Sequence, residues 1–112
     1  MKDNLNTSLL LDFYSGLLTE KQRDALDMYY NLDLSLGEIA EEIGVTRQGV
    51  RDTIKKGEER LLSLEEKIGM CSFASLVLVE LDKISGEAEG IEKNKREKIL
   101  ESIAAIRSGM EL

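Results

Sequence analysis

The chain has no histidine, no proline, no tryptophan and a single cysteine among its 112 residues. Without histidine it lacks the usual general base at neutral pH and the commonest metal ligand, so we predict no catalytic residue, no metal site and no cofactor. Cys71 has no partner for an internal disulfide, and its apolar neighbours indicate a buried thiol. The sequence also lacks a glycine-rich loop ending in Gly-Lys-Ser or Gly-Lys-Thr, which argues against a nucleotide triphosphatase. These absences favour a protein that is not an enzyme.

Long apolar runs and a secretory signal are missing as well. The most apolar stretch, Leu76–Leu81, is far too short to span a bilayer, so we expect no membrane contact and a cytoplasmic location. Only five residues are aromatic, while leucine, isoleucine, glutamate and lysine are abundant. Because these residues favour helices and proline is absent, the composition predicts an all-α protein.

Two helices are predicted before residue 32. The first covers roughly residues 4–17, where leucine and phenylalanine recur every four residues on one face: Leu5, Leu9, Phe13 and Leu17, with Leu10 and Leu18 beside them. A second helix should run from about residue 20 to 31, because Thr19 and Gln22 have the spacing of a capping box. This helix is expected to bury Ala25, Leu26 and Tyr29, with Tyr30 as a further candidate.

The segment SLGEIAEEIGVTRQGVRDTIKK, residues 35–56, has the spacing of a helix-turn-helix. Ser35 and Glu38 form another capping box, Gly44 supplies a left-handed turn, and Thr46 caps a helix that is predicted to reach Ile68. Gly57 within that helix indicates a bend or a close helix contact. The positions expected to pack the two helices together are Ile39, Ala40, Ile43, Val45, Val50 and Ile54.

Charge is distributed unevenly along the chain, whose net charge is −7. Residues 1–44 hold nine acidic against three basic residues, and residues 71–112 hold eight against six. Residues 45–70 are the exception, with six basic against five acidic residues. A basic segment on an acidic body can meet a phosphate backbone in one orientation while the remaining surface repels it. The pattern predicts oriented rather than non-specific binding.

The second helix of the motif carries the candidate nucleic-acid-binding residues. Its N-terminal half offers Arg47, Gln48, Arg51 and Lys55, whose side-chain types suit contact with base edges. Lys56 and Arg60 are better placed for phosphates. Alternatively, these cations pair at helical spacing with acidic neighbours of the same helix, namely Asp52, Glu58 and Glu59.

The C-terminal part is predicted to add two helices to the domain formed by residues 1–68. A helix over residues 72–84 should be buried on more than one side, followed by a loop over 86–90 and a helix over 91–110. The apolar residues of this part, 69–112, either thicken the core of the monomer or form the surface of a homodimer. Both alternatives are compatible with the sequence.

Two family resemblances follow from these motifs. Residues 17–62 resemble region 4 of bacterial sigma factors, with Leu18-Thr19, Gln22-Arg23, Leu34-Ser35-Leu36, Glu38-Ile39-Ala40 and a glycine turn in that family's order. Extended to Leu9–Ile68, the segment is similar to the YlxM-like family of small helix-turn-helix proteins associated with the signal recognition particle. The C-terminal part resembles that family only in being helical.

The resemblance implies an all-α, sigma-region-4-like helix-turn-helix domain with additional C-terminal helices. It also implies a regulatory protein that binds DNA or RNA and acts beside the signal recognition particle, an RNA–protein particle with a GTPase subunit. The family's Ser/Thr-Arg-Gln-Ala-Val segment corresponds to Thr46–Val50, with Gly49 in place of alanine, and a glycine there loosens the first turn.

Two alternative functions stay open. An adaptor would dock through its acidic N-terminal helices on the particle's GTPase or on RNA polymerase. A DNA-binding transcription regulator would use a dimer to read paired half-sites.

Overall fold

The structure, a computed structural model, describes residues 4–110, with side chains from residue 6 onward. The helices of this part are α1 Asn4–Tyr14, α2 Glu20–Leu26, α3 Leu36–Ile43, α4 Arg47–Ile68, α5 Met70–Glu87 and α6 Lys93–Met110. No strand occurs between residues 4 and 110, and the predicted all-α fold class is confirmed. The chain divides into two compact units, Met1–Gly69 and Met70–Leu112.

The first unit is built around α4, against which α1, α2 and α3 pack. Helix α1 and a following 3₁₀ turn, Ser15–Leu17, cover the predicted first helix, but the predicted buried face is correct only for Leu10 and Leu18. The buried residues are Leu10, Leu11, Tyr14 and Leu18, whereas Leu9 and Leu17 are exposed. The side chain of Leu5 lies outside the described residues.

The difference between the predicted and the observed buried face of α1 has a structural explanation. Leucines fill three consecutive positions, 9–11, so a period of four fits two neighbouring faces equally well. The face that is buried includes Tyr14, whose hydroxyl donates a hydrogen bond of 2.6 Å to Glu65 Oε1 on α4. A buried tyrosine hydroxyl needs such a partner, so this contact favours the observed face.

Helix α2 begins with the predicted capping box. Thr19 Oγ1 accepts from the Gln22 N–H, and Gln22 Oε1 accepts from the Thr19 N–H, both at 3.2 Å. Ala25 and Leu26 are buried as predicted. Gly57 of α4 lies directly against Leu26, because a Cβ at this position would stand 2.6 Å from Leu26 Cδ1. Gly57 therefore marks a close helix contact, one of its two predicted roles.

The chain leaves α2 through a π turn, Asp27–Asn31, that the sequence pattern did not predict. The Leu32 N–H donates to the Asp27 carbonyl, five residues back, at 3.1 Å. Turns of this wide kind are rare and recur at functional sites. The turn carries Tyr29 and Tyr30, which are half-buried.

The helix-turn-helix has the predicted boundaries. Ser35 and Glu38 form the capping box of α3, and Gly44 ends this helix with a φ of 72°, in the left-handed region. Ile39 and Val50 are fully buried between the helices. Val45, predicted to be buried, is 38% exposed because it belongs to the turn rather than to either helix.

The second unit is a helical hairpin in which α5 and α6 pack together. Helix α5 runs through Glu87 and a 3₁₀ turn spans Ala88–Gly90, so the predicted loop over residues 86–90 is largely helical. The prediction that the helix over residues 72–84 is buried on more than one side is wrong: Phe73 is 60% and Leu76 is 58% exposed. Buried positions of the hairpin are Ala74, Leu81, Ala88 and Ile103. Cys71 is half-buried rather than buried.

Candidate nucleic-acid interface

The N-terminal half of α4 is presented by the turn and cap that precede it. Thr46 Oγ1 accepts the Gly49 N–H at 3.0 Å, and the Thr53 hydroxyl donates to the Gly49 carbonyl at 2.9 Å. Gly49 was expected to loosen this turn. Here its N–H and its carbonyl both bond to side chains, which hold the first turn of the helix in place.

All six predicted binding residues are exposed on α4. Its buried face carries Val50, Ile54, Gly57, Leu61 and Leu64, which leaves the opposite face to solvent. Successive helical residues are about 100° apart around the axis. Gln48, Arg51 and Lys55 therefore lie within about 60° of one another, with Arg47 continuing their line toward the N-terminus. We call Arg47, Gln48, Arg51 and Lys55 the reading stripe.

Lys56 and Arg60 do not belong to this stripe. They lie about 40° from each other but roughly 100–180° from Arg51 and Lys55 around the helix axis. We call Lys56 and Arg60 the far pair. Between the two groups lie Asp52 and Glu59, so acidic groups separate the predicted cations.

The predicted pairing of the cations with acidic neighbours does not occur as ion pairs. Within residues 4–110, no carboxylate comes within 4.0 Å of the charged nitrogens of Arg47, Arg51, Lys55 or the far pair. Asp52 instead accepts a hydrogen bond of 3.0 Å from the side-chain amide of Gln48. The cationic groups of α4 are thus not held in ion pairs, whereas Gln48 has one of its two amide N–H groups bonded to Asp52.

Arg47 differs from the other members of the stripe in its direction. A Cβ built on Gly37 would stand 3.1 Å from both Nε and Nη2 of Arg47, so the guanidinium lies over the first turn of α3. There it shares a shallow concavity with Glu38 and Glu41. The absence of a side chain at Gly37 makes room for this arrangement.

A second concavity, which sequence reasoning missed, opens beside the reading stripe. It has a volume of about 430 Å³ and is lined by Tyr29, Tyr30, Arg51, Lys55 and Glu58, with Leu36 and Ile54 as apolar walls. We call it the tyrosine pocket. The adjacent tyrosines of the sequence were visible, but the π turn that directs them toward α4 was not predictable from helical periodicity.

Hydrogen bonding fixes one wall of the tyrosine pocket. The Tyr30 hydroxyl donates to Glu58 Oε1, and the rings of Tyr29 and Tyr30 meet edge to face with centroids 5.0 Å apart. Burial, the hydrogen bond to Glu58 and the charge of Glu58 raise the pKa of Tyr30 well above its ordinary value of 10.0. Tyr30 therefore remains a neutral donor at physiological pH and orients the carboxylate.

Two further classes of site are absent from residues 4–110. No group of three or more His, Cys, Asp or Glu side chains is arranged there to hold a metal ion. None of the helices in that range is long and apolar enough to cross a membrane.

Comparison with known proteins places this architecture in a family. A protein from Desulforamulus reducens is 49% identical over 112 aligned residues, which cover 90% of this chain and 96% of the relative. A protein from Thermoanaerobacter sp. (strain X514) is 45% identical over 106 residues, covering 91% of each chain. Both are called UPF0122 proteins.

A family profile extends the match beyond the helix-turn-helix. It covers residues 1–103, so most of the C-terminal hairpin belongs to the shared pattern. The prediction that this part resembles the family only in being helical is therefore wrong. The chain belongs to the UPF0122 family, which is described as "Putative helix-turn-helix protein, YlxM / p13 like".

Proposed function

We propose that this protein is a non-catalytic, nucleic-acid-binding regulatory protein that uses α4 as its recognition helix. The supporting observation is a helix-turn-helix whose exposed cations have no ion-pair partner among the described residues. The reading stripe contacts bases and their adjoining phosphates, and the far pair contacts further phosphates.

The acidic groups limit how the proposed interface can bind. Asp52 and Glu59 separate the reading stripe from the far pair, and the chain carries a net charge of −7. Such a surface repels polyanions except where the cations face the phosphates. Binding is thus oriented and steeply weakened by salt.

Charge reversal tests this function. The double variant Arg47→Glu/Arg51→Glu removes two contacts, each worth about 1–3 kcal/mol, and should weaken binding to DNA or RNA at least about 30-fold. The control Lys95→Glu/Lys98→Glu makes the same change in net charge on α6. Fluorescence anisotropy at several salt concentrations gives the affinities, and circular dichroism checks folding. Equal affinities for a folded double variant and the wild type would contradict the proposal.

The proposed role beside the signal recognition particle rests on the family resemblance. The protein acts in the cytoplasm, where it associates with the signal recognition particle and regulates it through the particle's RNA. The sigma-region-4-like arrangement of the motif supports contact with nucleic acid. Binding of the purified particle RNA, its GTPase subunit and RNA polymerase should be compared at rising salt. A complex with either protein that resists both salt and nuclease would favour the adaptor alternative instead.

The C-terminal hairpin forms the proposed homodimer. Helices α5 and α6 have 18 residues each, and two such hairpins are matched in length for a four-helix bundle. Phe73, Leu76 and Ile84 follow one another at spacings of three and eight residues, so they share one exposed stripe of α5. A second copy would cover this stripe through a symmetric contact.

Sedimentation tests the dimer. Phe73→Glu/Leu76→Glu should convert the dimer to a monomer, since it places charge in an apolar contact. Leu17→Glu/Leu32→Glu replaces equally exposed leucines of the first unit and should leave the dimer intact. A wild-type monomer at high micromolar concentration would exclude the homodimer.

A further inference from the structure

We propose that the tyrosine pocket binds one unstacked base of a single-stranded nucleic acid, with the adjoining phosphate held by Arg51 and Lys55. This inference rests on the proposed nucleic-acid binding and specifies its substrate class. The partner is a single strand or a loop with exposed bases, rather than an undisturbed duplex. Several independent features of the pocket support it.

The first feature is the size and lining of the pocket. The pocket is an open concavity of about 430 Å³, wide enough to admit one base from the side. Leu36 and Ile54 give it apolar walls, and Tyr29 adds an aromatic ring. Aromatic rings beside cations are the usual platform on which single-stranded nucleic acids stack their bases.

The second feature is the geometry of the two tyrosines. Tyr30 is anchored through its hydroxyl to Glu58 and meets Tyr29 edge to face. Tyr29 is half-buried and lines the pocket, so its ring is the candidate stacking surface. The π turn brings both rings to α4.

The third feature is charge. Arg51 and Lys55 line the pocket, and neither forms an ion pair within residues 4–110. A phosphate next to a bound base would thus meet two cations. Asp52, by contrast, lies on the outermost face of α4, where the helix would have to approach a duplex. The charges favour a strand lying along the flank of α4 over a duplex lying across it.

Glu58 can orient a bound base. Its carboxylate is oriented by Tyr30 and keeps acceptor capacity for one more donor. Exocyclic amino groups of cytosine, adenine and guanine can donate to it, and so can the ring N3–H of uracil and thymine. Glu58→Gln should therefore weaken the binding of single strands whichever base they carry.

Affinity measurements on the full chain test the proposal. The probes are single-stranded RNA and DNA decamers and duplexes of the same sequence. Tyr29→Ala should weaken single-strand binding roughly 10- to 100-fold, and Tyr29→Phe, which keeps the ring, should bind like the wild type. Duplex affinity should change little in either variant. Comparing the RNA and DNA arms identifies which strand the pocket takes.

The outcomes separate this inference from the proposed function. If the wild type binds duplex but not single strands, the pocket assignment fails while nucleic-acid binding stands. If Tyr29→Ala leaves single-strand affinity unchanged, the pocket assignment also fails. If no nucleic acid binds under any condition, both proposals fail.

Tyrosine emission gives a second readout. The chain has no tryptophan and only three tyrosines, so stacking of a base on Tyr29 should quench a measurable part of its fluorescence. Tyr29→Phe should bind with wild-type affinity but lose most of that quenching. Quenching that persists unchanged in this variant would place the bound base elsewhere.

Discussion

Gly57 is the residue at which packing and helix propensity oppose each other most directly. An alanine within a helix is favoured over glycine by about 1 kcal/mol. At Gly57 the added methyl would stand 2.6 Å from Leu26 Cδ1, so the fully buried side chain of Leu26 would have to shift within the core. Overpacking of a core costs about 1–3 kcal/mol, which outweighs the gain in propensity.

We therefore expect Gly57→Ala to lower the free energy of unfolding by about 1 kcal/mol. Gly86→Ala is the matched control, because a Cβ there meets nothing within 4 Å and the change should be neutral or stabilising. Urea unfolding followed by circular dichroism measures both. A Gly57→Ala variant that is more stable than the wild type would show that α2 and α4 can move apart without losing packing energy.

Tyr30 provides a prediction for alkaline pH. Its pKa is raised by burial and by Glu58, which means that the fold favours the neutral phenol. The stability contributed by this contact is complete below the ordinary pKa of 10.0 and is lost as the pH rises above it. In an ultraviolet titration, part of the tyrosine absorbance should change at a higher pH than that of an ordinary tyrosine, and Tyr30→Phe should reduce that late part. A titration in which all tyrosines ionise together near their ordinary pKa would contradict the buried contact with Glu58.

Helix ends illustrate what the sequence predicts well at the scale of elements. The boundaries of α3 and α4 agree with the structure because their signals are local: a cap, a glycine turn and a second cap. The buried face of α1 is predicted only in part, because it also depends on a distant partner through the hydrogen bond between Tyr14 and Glu65. The π turn was missed for a related reason, since no local signal distinguishes it from the end of an ordinary helix.

The capping box of α3 can be tested as a unit. The backbone and side chain of Ser35 hold the carboxylate of Glu38 in its charged form and lower its pKa below 4.5. The charged Glu38 carboxylate therefore contributes to stability above its ordinary pKa, and this contribution is lost as the pH falls through its lowered pKa. Ser35→Ala should cost about 1 kcal/mol of stability at neutral pH. The difference in stability between the wild type and Glu38→Gln should shrink in acid, as measured by urea unfolding at several pH values.

At the scale of the whole molecule, the sequence predicts the first unit better than the second. The first unit buries leucine, isoleucine and valine around α4, and its predicted helices and turn were mostly correct. The two helices of the hairpin are predicted from the sequence, but the exposure of their apolar side chains is not. Helical periodicity identifies an apolar stripe without indicating whether the same chain or a second copy covers it. The six candidate binding residues are all exposed, yet only their positions on a folded α4 separate the reading stripe from the far pair.

The division of the chain at Gly69 leads to a prediction about avidity. A chain ending at Gly69 keeps the core of the first unit, the reading stripe and the tyrosine pocket. It should fold and bind a single-site probe with the affinity of the full chain. Without the hairpin it should sediment as a monomer and lose the gain of roughly 100-fold or more that two linked sites give on a two-site probe. Equal affinity of both chains for the two-site probe would show that the hairpin does not join two recognition helices.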